Sequence, residues 1–186
     1  LMAYCKAEGD FKWGVAIHPY PENLLDPKAW LDKKNTYATD TPYITFKNLE
    51  VLDDWIKHTA STYEGKKRTL LLSEQNPNSM DYTDEALQEQ AAGLAYAWKK
   101  MDGIDAYFAH SWIDAHFEGG LKTGLRKYSD DPEDPFGTKP SWIVFRDAGT
   151  ENEPQTFEFA KRIIGISSWE EIVHSVNKTL KRTSDE

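Results

Sequence analysis

Thr69-Leu70-Leu71-Leu72-Ser73-Glu74 is the stretch that decides the fold. Its apolar residues are consecutive, so neither the two-residue rhythm of a half-buried strand nor the three-and-four rhythm of an amphipathic helix fits it. A short, continuously apolar run suits a strand buried on both faces, as in a parallel sheet. Two other runs share the character, Trp13-Gly14-Val15-Ala16-Ile17-His18 and Ile104-Asp105-Ala106-Tyr107-Phe108-Ala109-His110. A buried helical segment is the competing reading, but the run lengths and the Gly and Asp punctuation favour strands. The expected strands cover about residues 13–18, 69–74 and 104–110.

Helical patterns separate them. Between Asn48 and Ala60, the residues Leu49, Leu52, Ile56 and Ala60 recur at three- and four-residue steps and give one apolar face. Thr83 is placed to cap the next helix, with Asp84 and Glu85 in its first turn, Leu87, Ala91, Leu94, Trp98 and Met101 at helical spacing, and Gly103 as its stop. Further helices are expected to start at Pro140 and at Pro154, the second ending at Gly165. A last one is expected behind the capping box Ser168-x-x-Glu171, carrying Trp169, Ile172, Val173, Val176 and Leu180. The opening residues Leu1-Met2-Ala3-Tyr4-Cys5 read like the middle of a helix. Strands alternating with helices imply an α/β fold with a parallel sheet and right-handed crossovers, either open and doubly wound or part of a (β/α)₈ barrel.

Composition narrows the function. The 186 residues are 39% hydrophobic and 28% charged, which is globular. A net charge of −9 argues against nucleic acid or an anionic membrane surface as partner. No apolar run approaches the roughly 18–20 residues of a membrane-spanning helix, so no membrane insertion is expected. The start lacks the basic and apolar regions of a signal peptide. The single cysteine, Cys5, allows no intrachain disulfide and no cysteine-based metal site.

No Gly-rich phosphate loop follows any strand, which removes the usual mark of a nucleotide-binding open sheet. Polar residues gather instead at the C-terminal strand ends: His18 and Tyr20, then Glu74 and Gln75, then His110, Trp112 and Asp114. Barrel enzymes place their active sites at that edge. Long connections, residues 19–47 and 111–139, leave from the same side, and segments longer than about 12–15 residues are usually functional or mobile. Glu74 is the sharpest candidate, because a carboxylate on a rigid, partly desolvated strand end suits a nucleophile or an acid/base. The alternative is a carboxylate that pairs with a neighbouring base. His110, Trp112, Asp114, His116 and Glu118 form a dense polar and aromatic set, and Gly119-Gly120 allows a sharp turn. Trp112 offers an aromatic face to the axial C–H groups of a sugar, or simply packs under a loop. His18, His110, Asp114 and His116 are also metal-ligand types. The compact His-x-His of strand-end metal hydrolases is absent, and no metal site is expected.

Four pieces together, Trp13-Gly-Val-Ala-Ile-His-Pro-Tyr-Pro21, Ile44-Thr-Phe-Lys-Asn-Leu-Glu-Val-Leu52, Leu72-Ser-Glu-Gln75 and Glu118-Gly-Gly-Leu-Lys-Thr-Gly-Leu125, resemble the C-terminal part of a clan A glycoside hydrolase barrel. More narrowly, they resemble an uncharacterised family of glycosidase-like barrels of bacterial proteins. The resemblance spans roughly residues 10–150. It implies that the strands are the sixth, seventh and eighth of a (β/α)₈ barrel, with residues 1–186 its C-terminal portion and helices over 154–182. It implies Glu74 as the catalytic nucleophile of a retaining double displacement on a poly- or oligosaccharide. His18, Tyr20, Gln75, His110, Trp112, Asp114 and Glu118 would then contact the carbohydrate substrate, without a cofactor. The clan's acid/base, a Glu after Asn at the end of the fourth strand, has no counterpart here. Asn152-Glu153 follows the third strand and precedes Pro154, so the acid/base is expected upstream and the chain alone is expected to be inactive. A complete barrel typically takes about 250 residues. A carbohydrate-binding pseudoenzyme and a metal-dependent hydrolase are the alternatives. The resemblance implies an exported enzyme, though the chain carries no address. A partial barrel would also expose sheet edges open to self-association.

Overall fold

The computed structural model describes residues 2–58, 62–115, 117–135 and 137–177. All three expected strands form, each a little shorter or shifted: β1 is Val15–Ile17, β2 is Leu70–Gln75 and β3 is Ala106–Ala109. They make one parallel sheet in the order β1-β2-β3, with Val15 opposite Leu70 and Leu71 opposite Ala106. The helices are α1 (Met2–Ala7), α2 (Leu49–His58), α3 (Asp84–Lys99), α4 (Pro140–Asp147), α5 (Glu153–Thr156) and α6 (Glu158–Ile164). The protein is thus a mixed α/β structure built on a small parallel sheet.

The sheet has two unlike faces. Leu70 and Leu72 of β2 are fully buried against the helical layer, joining clusters with Leu49, Leu52 and Ile56 of α2 and Tyr96 and Ala97 of α3. Val15, Ile17, Tyr107 and Ala109 pack on the same side. On the other side Ala16 is exposed, Leu71 is half-buried and Phe108 is 54% exposed. One face is therefore dry and the other open.

The helix starts follow the sequence closely. The Thr83 side chain accepts from the Ala86 N–H, and Pro140 begins α4. Helix α3 carries Ala91, Ala92 and Ala95 toward Val144, Phe157 and Ala160, small residues that allow its close packing with α4 and α6. Gly93 of the same helix also sits against neighbouring chain. A Cβ there would lie 2.7 Å from the Pro27 carbonyl oxygen and 3.0 Å from the Pro77 ring, inside contact distance of the chain leaving both β1 and β2. Gly93→Ala is therefore expected to lower stability by about 1–3 kcal/mol through overpacking, against the roughly 1 kcal/mol that Ala normally adds to a helix. Urea unfolding measures the balance.

Three expectations are corrected. The segment from Pro154 is two helices, not one, broken at the fully buried Phe157 and ended by the left-handed Gly165. Helix α3 is closed by Lys100, not Gly103, with the Lys100 N–H bonding back to its last carbonyls. The capping box at Ser168 and Glu171 does form, but it heads only a 3₁₀ turn, Trp169–Ile172. The buried Lys100 ammonium takes the Ile172 carbonyl at 2.7 Å, and Asn177 pairs with the chain at Tyr37 and Thr39, so Val173 turns extended. Leu180 and Ala60 lie outside the described residues. Among the described residues no helix is long and apolar enough to cross a membrane.

Candidate functional site

The site begins with an irregularity in β2. Leu72 pairs with Tyr107, yet Gln75 pairs with Ala109, so three steps on β2 match two on β3. One residue is extra, a bulge at Ser73–Glu74. Simple alternation from buried Leu72 would turn Glu74 inward as well. The extra residue puts Ser73 and Glu74 both half-exposed and sends Gln75 inward, fully buried. The Gln75 amide then donates to the carbonyls of Leu72 (3.0 Å) and Phe108 (2.9 Å), one on each side of the interruption. Gln75 thus braces the bulge instead of facing the open side.

Around Glu74 the strand ends supply partners. Tyr20, after β1, donates its hydroxyl to Glu74 Oε1 at 3.2 Å, and His18 Nδ1 stands 3.9 Å from the same oxygen. Burial pushes the Tyr20 pKa above its ordinary value, and the negative charges of Glu74 and Glu118 push it further. Tyr20 therefore stays protonated and remains a donor. Beyond β3, His110 Nε2 lies 3.2 Å from Glu118 Oε1, and the His110–Ser111 peptide bond is cis. The backbone N–H of His110 bonds to the Gln75 carbonyl, tying the two strand ends together. His18, Tyr20, Glu74, His110 and Glu118 are thus brought to one edge of the sheet.

Two other candidates sit apart. Trp112 is 51% exposed and lies edge-on to Trp142, 4.9 Å between ring centres, with the Arg126 guanidinium 5.1 Å from the one ring and 4.8 Å from the other. Asp114 is buried and engaged: it accepts from Tyr82 (2.8 Å), from the Gly124 N–H (2.8 Å) and from the fully buried Lys139 ammonium (2.7 Å). Lys139 also donates to the carbonyls of Lys122 and Gly124. Asp114 therefore organises the connection after β3. Lys139 and Tyr82 carry no motif that marks this role in the sequence. His116 lies outside the described residues. Among the described residues no three His, Cys, Asp or Glu side chains gather as a metal-ion site. A cavity of about 890 Å³ between α3 and the later helices, lined by Gln88, Ile143 and Phe159 among others, contains none of the candidates.

The model of a family of unknown function, DUF5722, matches residues 1–172. The chain belongs to this family. No curated protein and no solved structure matches it. The DUF5722 match takes in all three strands and every candidate residue at their ends. Glu153, which follows Asn152, is held by the Trp98 indole N–H (2.8 Å) and by Lys99 on the outer helices, away from the strand ends.

Proposed function

We propose that this DUF5722 chain is part of a retaining glycoside hydrolase of (β/α)₈ architecture, acting on a carbohydrate, with Glu74 as its nucleophile. Glu74 carries the reading: a carboxylate at the C-terminal end of a parallel strand, turned by a bulge onto the open face, held by Tyr20 and flanked by His18. The open face supports the architecture. Parallel sheets are ordinarily covered on both sides, and in a barrel the second side is the packed interior. β1 and β3 are both edge strands here, the positions at which further strands would add.

In this reading Glu74 attacks the anomeric carbon. The carbon–oxygen bond to the leaving group breaks as the ester to Glu74 forms, and an acid from elsewhere in the barrel protonates the departing oxygen. Water then cleaves the ester, with that group acting as base. Tyr20 keeps one carboxylate oxygen in place, and the two histidines line the approach. A panel of 2-deoxy-2-fluoro glycosyl fluorides, applied to the complete gene product, tests the assignment. A fluorosugar mass on the peptide containing Glu74 is expected. Glycosidase activity that leaves Glu74 unlabelled overturns it, and binding of sugar with no turnover and no label replaces it with a carbohydrate-binding role.

A further inference from the structure

Phe117 is 89% exposed, the highest value among the exposed large apolar side chains of the described residues. A lone exposed apolar residue is ordinary, but the position of this one is not. Its neighbour Glu118 is fixed to His110 at the end of β3, 3.2 Å away. The chain reverses immediately afterwards through Gly119 (φ 61°) and Gly120 (φ 87°), both left-handed. The turn is closed by the Glu118 N–H on the Ala115 carbonyl and the Leu121 N–H on the Glu118 carbonyl. Both limbs are anchored. On one side Asp114 binds the Gly124 N–H and Lys139. On the other, the Lys122 N–H donates to Asn78 Oδ1 at 2.6 Å and the Lys122 carbonyl accepts from the Ser79 N–H. The result is a short, braced finger whose exposed ring stands one residue from the candidate site.

We propose that Phe117 is a glycan-stacking residue, its ring packing on the C–H face of a pyranose unit of a neutral polysaccharide bound across the strand ends. The inference rests on the carbohydrate reading of the site and not on turnover. An aromatic ring held in water by a fixed turn loses little freedom when a flat apolar surface covers it, so most of its burial is retained as affinity. The ligand is neutral because Glu74 and Glu118 place two carboxylates beside the finger, and the chain as a whole carries a charge of −9. Both repel acidic glycans.

Native affinity electrophoresis of the complete gene product tests this, in gels containing mixed-linkage β-glucan, xylan, galactomannan or, as the acidic control, polygalacturonate. The wild type is expected to be retarded by at least one neutral glycan and not by polygalacturonate. Phe117→Ala is expected to weaken that binding about tenfold or more, the scale of burying one Phe ring. Phe117→Trp is expected to keep it. Phe11→Ala, which removes an exposed ring from the segment before β1, is expected to change nothing. A side chain this exposed supports little of the fold, so thermal melting of Phe117→Ala is expected to match the wild type. No retardation by any neutral glycan, retardation by polygalacturonate alone, or equal retardation of Phe117→Ala overturns the proposal. Loss of binding in Phe117→Ala together with an unlabelled Glu74 removes the hydrolase and leaves the stacking role standing.

Discussion

Asp114→Ala is expected to destabilise the protein by about 3–5 kcal/mol, the cost of breaking a buried ion pair from one side. The reason is what remains behind. The Lys139 ammonium is fully buried and would keep only two carbonyls, those of Lys122 and Gly124, with no counter-charge. The Tyr82 hydroxyl and the Gly124 N–H would lose their acceptor as well. Burial already pulls the Lys139 pKa below its ordinary value, with Asp114 opposing that pull. Without Asp114 the buried ammonium is left uncompensated. The double variant Asp114→Asn with Lys139→Met removes both charges and is expected to recover most of the loss, because replacing a buried pair by uncharged groups of similar size is often close to neutral. Equilibrium unfolding in urea of the single and double variants measures both terms. A single variant within about 1 kcal/mol of the wild type would mean that water reaches Lys139.

Glu74→Gln is expected to lower kcat/KM of the complete gene product by on the order of 10⁴-fold or more, the scale on which loss of a nucleophile is felt. The amide is nearly the same size and still accepts from Tyr20, so binding and fold should be kept while the attacking charge is lost. The expected signature is a collapse of kcat with KM changed far less. Steady-state kinetics on aryl glycosides gives the split. A variant that retains a tenth or more of wild-type kcat would remove Glu74 from the covalent step.

The strand centres were legible because runs such as Leu70, Leu71 and Leu72 are too short and too evenly apolar for an amphipathic helix, although only Leu70 and Leu72 lie in the dry layer and the side that carries Leu71 is open. The α2 face was legible from Leu49, Leu52 and Ile56, and the start of α3 from Thr83, since both depend on neighbours within one or two helical turns. What depended on distant residues was not legible. The turn at Ser168 carries a complete capping box. Its helix is stopped by Lys100, 72 residues from the carbonyl it captures. Asp114 reads as a strand-end carboxylate like Glu118, and only Lys139, 25 residues on, separates their roles. Gln75 reads as the companion of Glu74, because adjacent residues look alike to any rule that counts polar strand ends. The bulge between Leu72 and Gln75 sends the two side chains to opposite faces.

That bulge also carries a consequence for comparing members of DUF5722. The face on which the carboxylate appears is set by the pairing register between Leu72 and the strand end, and not by which residues lie there. A relative one residue shorter there would return to plain alternation, with Leu72 inward, its glutamate outward and the following glutamine inward, and so would keep the carboxylate on the open face without a bulge. A relative of the same length that paired without the bulge would instead keep the same motif letters and turn the glutamate into the dry layer against the helices. Within the family, the pairing register of this strand therefore tells more about where the carboxylate stands than the identity of the glutamate's neighbours does.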